Sequence, residues 1–315
     1  MSLKSIEICA GAGGQALGLE QAGFNHVALV EIEHAACETL RLNRPNWNVV
    51  EGDVHEFSAE SYRGNVDLLA GGVPCPPFSV AGKQLGADDE RDLFPEALRL
   101  VNECQPKAVM LENVRGIFAP KFDTYRTHII SRLKDAGYET WWKIVESKDY
   151  GVSQLRPRAI LVGIKQPWSK WFVWPSPNSE DAISVGELLG DSMASLGWGG
   201  ASEWAAHASG IAPTLVGGSK KHGGADLGPT RSRAAWAKLG VDGGGLTDTP
   251  PAPDFYGMPR LTVGMAALVQ GFPKEWVFSG KKTAAYRQVG NAFPPPVAKA
   301  VGKAIKEALD DNKQR

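Results

Sequence analysis

Five short apolar runs, each separated from the next by a polar or helical stretch, constrain this chain more than any other feature of it. Ile6 to Ala10, Val27 to Ile32, Val66 to Ala70, Ala108 to Leu111 and Ile160 to Ile164 read as buried strands. Ala35 to Asn43, Asp92 to Glu103 and Tyr125 to Ala136 carry helical spacing between them. That alternation predicts an α/β fold, a doubly wound Rossmann-like parallel sheet with helices on both faces. Sheets of this kind bind ligands beyond the carboxyl ends of their strands.

The chain has 315 residues, enough for two domains at about 150 residues each. With 43% hydrophobic and 22% charged residues it is an ordinary globular composition, which excludes a disordered or fibrous chain. No run approaches the roughly 18 apolar residues that a membrane helix needs. Met1-Ser2-Leu3-Lys4 leads straight into the first strand, so no signal peptide and a cytoplasmic location are expected. The net charge of −1 weighs against a uniformly basic nucleic-acid binder, so any polyanion partner must meet locally clustered cations. Cys9, Cys37, Cys75 and Cys104 form no Cys-x-x-Cys pair, so neither a metal site nor a disulfide framework is expected. Each is read singly, as core filler or as a nucleophile.

From about Pro167 the character changes. Trp168, Trp171, Trp174, Trp198 and Trp204 crowd one stretch, and the pairs Gly217-Gly218 and Gly223-Gly224 and the triplet Gly243-Gly244-Gly245 follow. Helical periodicity is weak through Asp254, which predicts a smaller, loop-rich second domain whose aromatics need burial. Pro294-Pro295-Pro296 then opens a terminal helix with Val297, Ala300, Val301, Ala304 and Leu309 on one stripe.

The first strand ends in Cys9-Ala10-Gly11-Ala12-Gly13-Gly14, a turn in which glycine permits tight geometry and close ligand approach. Glu31 ends the second strand and can accept hydrogen bonds from ribose hydroxyls. Asp53 ends the third and can accept from an adenine amino group. The loop alone suits a nicotinamide cofactor as well as S-adenosylmethionine, and a tight turn in any doubly wound fold gives the same pattern.

Pro74 and Pro76 clamp Cys75 at a strand's carboxyl end. A free thiol has a pKa of about 8.5, so nucleophilic use requires a local shift toward thiolate. Leu111-Glu112-Asn113-Val114 puts a carboxyl on the same rim, and Gln154-Leu155-Arg156-Pro157-Arg158 precedes the strand at Ile160. A packing thiol, a solvated rim acid and a basic turn are the bland alternatives. Together, a thiol, an acid and guanidiniums on one rim make a reaction site.

In this order the motifs resemble the DNA (cytosine-5)-methyltransferase family of the bacterial type. The resemblance runs from the glycine loop through Pro74-Cys75, Glu112-Asn113-Val114 and Gln154-x-Arg156-x-Arg158. It continues through Arg260-Leu261-Thr262, Gln270-Gly271-Phe272-Pro273 and Gln288-Val289-Gly290-Asn291. It implies transfer of a methyl group from S-adenosyl-L-methionine, without a metal, to C5 of a flipped-out cytosine in a specific duplex DNA sequence. A catalytic and cofactor-binding domain would span residues 1–168, a target-recognition domain 169–283, and a segment returning to the catalytic domain 284–315.

It further implies a catalytic set of Cys75 as nucleophile, Glu112 as the acid at N3, Arg158 on the base carbonyl, and Arg156. Cofactor contacts would come from Cys9, Ala10, Gly11, Ala12, Gly13, Gly14, Glu31, Ile32, Asp53, Val54, Asn291 and Ala292. DNA contacts would come from Ser79, Lys83, Gln84, Lys220, Lys221, Arg231 and Arg233, with the stretch from Phe78 to Arg91 closing over the extruded base. His222, Lys281, Lys282 and Arg287 are further cations that DNA could meet. A cognate restriction endonuclease would be a functional partner, and the enzyme would act as a nucleoid-associated monomer. The family commonly has phenylalanine where Cys9 stands and often an aromatic at Ile32. Three rivals remain at this point: a transfer-RNA cytosine-5 methyltransferase, a nicotinamide-dependent oxidoreductase, and a non-catalytic DNA-binding protein.

Overall fold

A computed structural model describes residues 2–74, 92–178, 182–218 and 224–310. Its centre is a seven-stranded sheet. The strands are β1 (Leu3–Ile8), β2 (Phe24–Glu31), β3 (Val49–Glu51), β4 (Leu68–Gly72), β5 (Ala108–Val114), β6 (Tyr138–Glu146) and β7 (Pro157–Lys165). Their spatial order is β3-β2-β1-β4-β5-β7-β6. β1 to β5 run parallel, with Ile8 beside Gly71 and Gly72 beside Glu112.

The expected parallel sheet is corrected at one edge. β7 lies antiparallel between β5 and β6, and β6 is antiparallel to β7. β6 escapes the apolar-run reading because it is an edge strand: of its nine residues only Tyr138 and Val145 are buried, so its sequence alternates imperfectly. The chain proceeds outward on one side through β1, β2 and β3 and on the other through β4 and β5. The reversal falls between β1 and β4, where a doubly wound sheet opens its ligand crevice.

Helix α1 (Gly14–Ala22) starts directly from the glycine turn, with Gly13 at φ +84°, a conformation that side chains with a Cβ rarely adopt. The far end of the chain, α10 (Pro295–Ala308), packs against it. A Cβ on Gly18 would sit 2.4 Å from the carbonyl oxygen of Pro295, so only glycine allows this approach. Val297, Val301 and Ile305 of α10 are fully buried there, each contributing about 1.5–3 kcal/mol of apolar burial.

Residues 169–283 carry more helix than their periodicity suggests. α5 (Val185–Ala194), α6 (Ala201–His207), α7 (Thr230–Ala237) and α8 (Val263–Val269) are short, so few turns are available to establish a pattern. They share a second core built on Leu189, Trp204, Trp236 and Met265, which also receives Leu17 of α1. The aromatics divide: Trp204 and Trp236 are buried, whereas Trp171 is exposed. α9 (Lys282–Asn291) then runs back over α2 (His34–Asn43), where Thr39 donates to Gln288. No helix among the described residues is long and apolar enough to cross a membrane.

Candidate active site

The carboxyl ends of β1, β2, β4 and β5 open into one cavity of about 380 Å³, within the range typical of small-molecule sites. Cys9, Ala10, Gly11, Ala12 and Gly14 of the glycine loop line it, with Glu31, Gly72, Glu112, Asn291 and Ala292. The loop is tied to the second strand by Glu31, whose carboxylate accepts from the backbone N–H of Gly11 at 2.7 Å and of Glu33 at 2.8 Å. Burial still raises the Glu31 carboxyl, against those two N–H groups. Cys9 takes a left-handed φ of +52°, a strained conformation for a residue with a side chain.

Several lining residues went unread in the sequence. Glu7 projects from the middle of β1 and Gln15 from the first turn of α1, and both border the cavity. Both oxygens of Glu7 and both polar atoms of Gln15 are buried without a hydrogen-bond partner among the described residues. Burial holds the Glu7 carboxyl well above the usual carboxylate range, and the neighbouring Glu31 adds to this. Four orphaned polar atoms facing one cavity call for a polar ligand. The signal was present: an acid inside an apolar strand run is costly without a purpose. Arg287 of α9 is the one cation in that lining among the described residues, facing Glu7, Glu31, Glu33 and Glu112.

At the β5 end, Glu112 is paired with Arg158, which enters on the antiparallel β7. Arg158 Nε lies 2.8 Å from Glu112 Oε1, and both side chains are 11% exposed. Burial raises the Glu112 carboxyl, and the guanidiniums of Arg158 and Arg156 only partly offset this. A buried acid with a raised pKa beside a fixed guanidinium can donate a proton to a ring nitrogen. Next to it, Asn113 Nδ2 donates to the carbonyl of Val73 at 2.8 Å. The strand that leads into Pro74 and Cys75 is thereby held against β5.

Arg156, expected in the catalytic set, is placed away from the cavity. Only 1% exposed, it borders no part of the cavity. Its Nη1 donates to Leu215 O at 2.8 Å, and its Nη2 to Gly290 O at 2.7 Å and Ala292 O at 3.1 Å. Gln154 joins the same knot, accepting from Leu215 N at 2.9 Å and donating to Gln270 Oε1 at 2.7 Å. Arg156 thus ties the start of β7 to the chain around Leu215 and to the end of α9.

The remaining expected contacts divide. Asp53 Oδ1 is engaged by the backbone N–H and Nδ1 of His55, and Asp53 stands outside the cavity lining. Ile32 is 60% exposed at the mouth side of β2, and Val54 is buried in the sheet core. Gly13 shapes the turn without bordering the cavity. Arg231 and Arg233 are exposed on α7. Cys75, Ser79, Lys83, Gln84, Lys220, Lys221 and His222 lie outside the described residues, as does the stretch from Phe78 to Arg91.

Sheet order, crevice and glycine loop define a nucleotide-type α/β cofactor fold with an acid–guanidinium pair at its rim. The family model for C-5 cytosine-specific DNA methylases matches residues 3–307, and the chain belongs to that family. It is therefore a DNA (cytosine-5-)-methyltransferase. It is 58% identical to the Type II methyltransferase M.NgoMIV of Neisseria gonorrhoeae over 98% of this chain and 99% of that protein. It is 56% identical to the Type II methyltransferase M.NaeI of Lentzea aerocolonigenes, covering 98% of this chain and 76% of that one. Among solved structures, a mutant DNMT2 of Spodoptera frugiperda shares the fold. Its TM-score is 0.67 at 18% identity, over 98% of this chain and 100% of that one.

Proposed function

We propose that this enzyme methylates C5 of a cytosine flipped out of a specific duplex DNA sequence, through a temporary bond between Cys75 Sγ and C6. The carrying observation is that Glu112, paired with Arg158, borders the same cavity as Glu7, Glu31 and the glycine loop. An edge suited to a pyrimidine thus opens into a pocket suited to a cationic nucleoside.

S-adenosyl-L-methionine fits the residues present. Its sulfonium and ammonium charges match a wall carrying Glu7, Glu31 and Glu33, and its polar head would satisfy Glu7 and Gln15. The pyrophosphate of a nicotinamide dinucleotide would meet repulsion there. When bound, the cofactor supplies an electrophilic methyl group on a sulfonium centre, with S-adenosyl-L-homocysteine as product. Gly11 and Asn291 would frame it, with Glu31 on the ribose. No metal is required by this donor set.

Cytosine C5 is a weak nucleophile, and covalent addition converts the ring to an enamine. The Cys75 thiolate forms the bond to C6. Glu112 gives its proton to N3 as negative charge develops, and Arg158, with Nε on Glu112 and Nη1 on Pro157 O, would offer Nη2 to the ring carbonyl. Once C5 carries the methyl group, the N3 proton returns to Glu112, the C5 proton leaves to water, and breakage of the C6–S bond restores the aromatic ring and the thiolate. Flipping the base costs a few kcal/mol. The separate core of the short helices supports a recognition unit within 169–283, bounded by catalytic 1–168 and returning 284–315. The Type II names of the relatives favour a cognate endonuclease as functional partner, and our reading is of a cytoplasmic, nucleoid-associated enzyme acting as a monomer.

Duplex DNA containing 5-fluorocytosine tests the reading, because fluorine cannot leave C5 as a proton does. The expected result is a denaturation-resistant adduct at Cys75 only when cofactor is present; methylation without any such adduct would remove the covalent step. Methylation of transfer RNA in preference to duplex would replace the substrate.

A pH dependence also follows from the cavity. Folding raises the Glu7 pKa, so between the unfolded value near 4.3 and the folded one the native state binds more protons than the unfolded chain. Stability without cofactor therefore falls as pH rises through that window, and affinity for a cationic cofactor rises. Glu31 and Glu112 shift in the same direction, the latter partly offset by Arg158 and Arg156. Calorimetric titration across the window is expected to show a steeper slope for S-adenosyl-L-methionine than for its neutral thioether product, and Glu7→Gln to flatten the difference. Equal slopes in wild type would refute this.

A further inference from the structure

Strand β4 ends in two glycines, and their surroundings differ. β4 lies between β1 and β5, so its carboxyl end stands between the glycine loop and Glu112. Gly71 pairs with Ile8 on one side and Leu111 on the other, and Gly72 pairs with Glu112. A Cβ on Gly71 would sit 2.7 Å from Ile8 Cγ1 and 2.9 Å from Ile8 O, closer than side chains come without displacing their neighbours. Close packing against β1 therefore requires glycine at 71.

Gly72 is under no such requirement. Its φ lies outside the left-handed region, so a side chain there brings no backbone strain. A Cβ would lie 3.4 Å from Glu112 Oε2 and 3.9 Å from Cys9 O, ordinary contact distances, with nothing nearer among the described residues. Glycine inside a strand weakens it, and one found there marks a bulge, a tight bend or the close approach of a ligand or another backbone. The register of β4 is unbroken toward both neighbours, which excludes a bulge, and no other backbone approaches Gly72 closely among the described residues.

The close approach of a ligand remains. Gly72 borders the cavity together with Cys9 and Glu112. Its missing side chain leaves open the space between the glycine loop and the acid. A methyl donor seated on the loop and a pyrimidine seated on Glu112 would meet across that space, and Cys75 follows three residues further along the same chain.

We propose that Gly72 is a specificity-determining position for the transferred group: its bare backbone leaves room for the methyl on the sulfonium between the cofactor pocket and C5 of the target base. This rests on the methyltransferase reading above. Gly71, by contrast, serves packing alone.

The test is calorimetric binding, without DNA, of S-adenosyl-L-methionine and S-adenosyl-L-homocysteine to wild type, Gly72→Ala and Gly71→Ala, with urea midpoints measured alongside. The two ligands differ by the methyl group and its charge, and Gly72→Ala alters no charge, so a change in their affinity ratio reads the space around the methyl. Overfilling that space by one carbon is expected to weaken S-adenosyl-L-methionine about 5- to 150-fold, with S-adenosyl-L-homocysteine changed by less than about twofold. Single-turnover transfer at saturating cofactor should fall about 10²-fold, the effect of a misplacement of about 1 Å. Gly72→Ala should keep the wild-type urea midpoint, whereas Gly71→Ala should lower it. Equal weakening of both ligands, or of neither, overturns the proposal. A Gly72→Ala midpoint lowered as far as that of Gly71→Ala also overturns it, and would assign Gly72 to packing. A wild-type chain that binds neither ligand refutes the cofactor reading on which the proposal rests, a different outcome from these.

Discussion

Cys75→Ala is expected to eliminate methyl transfer to duplex DNA, a loss on the order of 10⁶-fold when a covalent nucleophile is removed. The other three thiols cannot substitute. Burial pushes Cys37 and Cys104 up to about 12, and burial with Glu31, Glu7 and Asp53 keeps Cys9 protonated although it borders the cavity. Only thiolates attack, so those three remain inert near neutral pH. The variant should still bind cofactor and DNA, because the cavity wall and the Glu112–Arg158 pair are intact. Single-turnover transfer of a labelled methyl group, with binding measured separately, checks both halves. Retained turnover, or loss of cofactor binding alongside turnover, would sink the assignment.

Arg156→Ala is expected to fail in a different way, through stability. The guanidinium supplies Leu215, Gly290 and Ala292 carbonyls in a site almost closed to water. Removing it leaves the Leu215 and Gly290 carbonyls unpaired while Ala292 O keeps Gln270 Nε2, costing about 1–3 kcal/mol for each unpaired acceptor before relaxation. Domains have only about 5–15 kcal/mol in total, so the urea midpoint should fall sharply. Arg156→Lys should recover less than half, since an ammonium cannot span the same fork of carbonyls. Cofactor affinity should drop with Arg156→Ala, because Ala292 forms part of the cavity. Wild-type stability with abolished turnover would return Arg156 to the catalytic set.

The two arginines of Gln154-x-Arg156-x-Arg158 illustrate what a linear motif conveys. In sequence both are cations preceding a strand. Arg158 reaches Glu112 because β7 pairs antiparallel with β5, which sets Arg158 beside Val114. Arg156, two residues earlier, meets the carbonyls of Leu215, Gly290 and Ala292 instead. Asp53 shows the same dependence: its position at the end of β3 was legible, but its capture by His55 is a matter of side-chain packing.

By itself the sequence determined the alternating strands and helices, the glycine turn, and the acid at the end of β2, because these follow from local periodicity and backbone freedom. It also carried the chemical identities at Cys75, Glu112 and Arg158. Tertiary structure alone decided which strands run antiparallel, that Glu7 and Gln15 share an unpaired cavity wall, and that Gly72 stands between the glycine loop and Glu112. Those outcomes depend on contacts between residues distant in the chain, and the free energy of such contacts is set by burial and partner geometry rather than by neighbours in sequence.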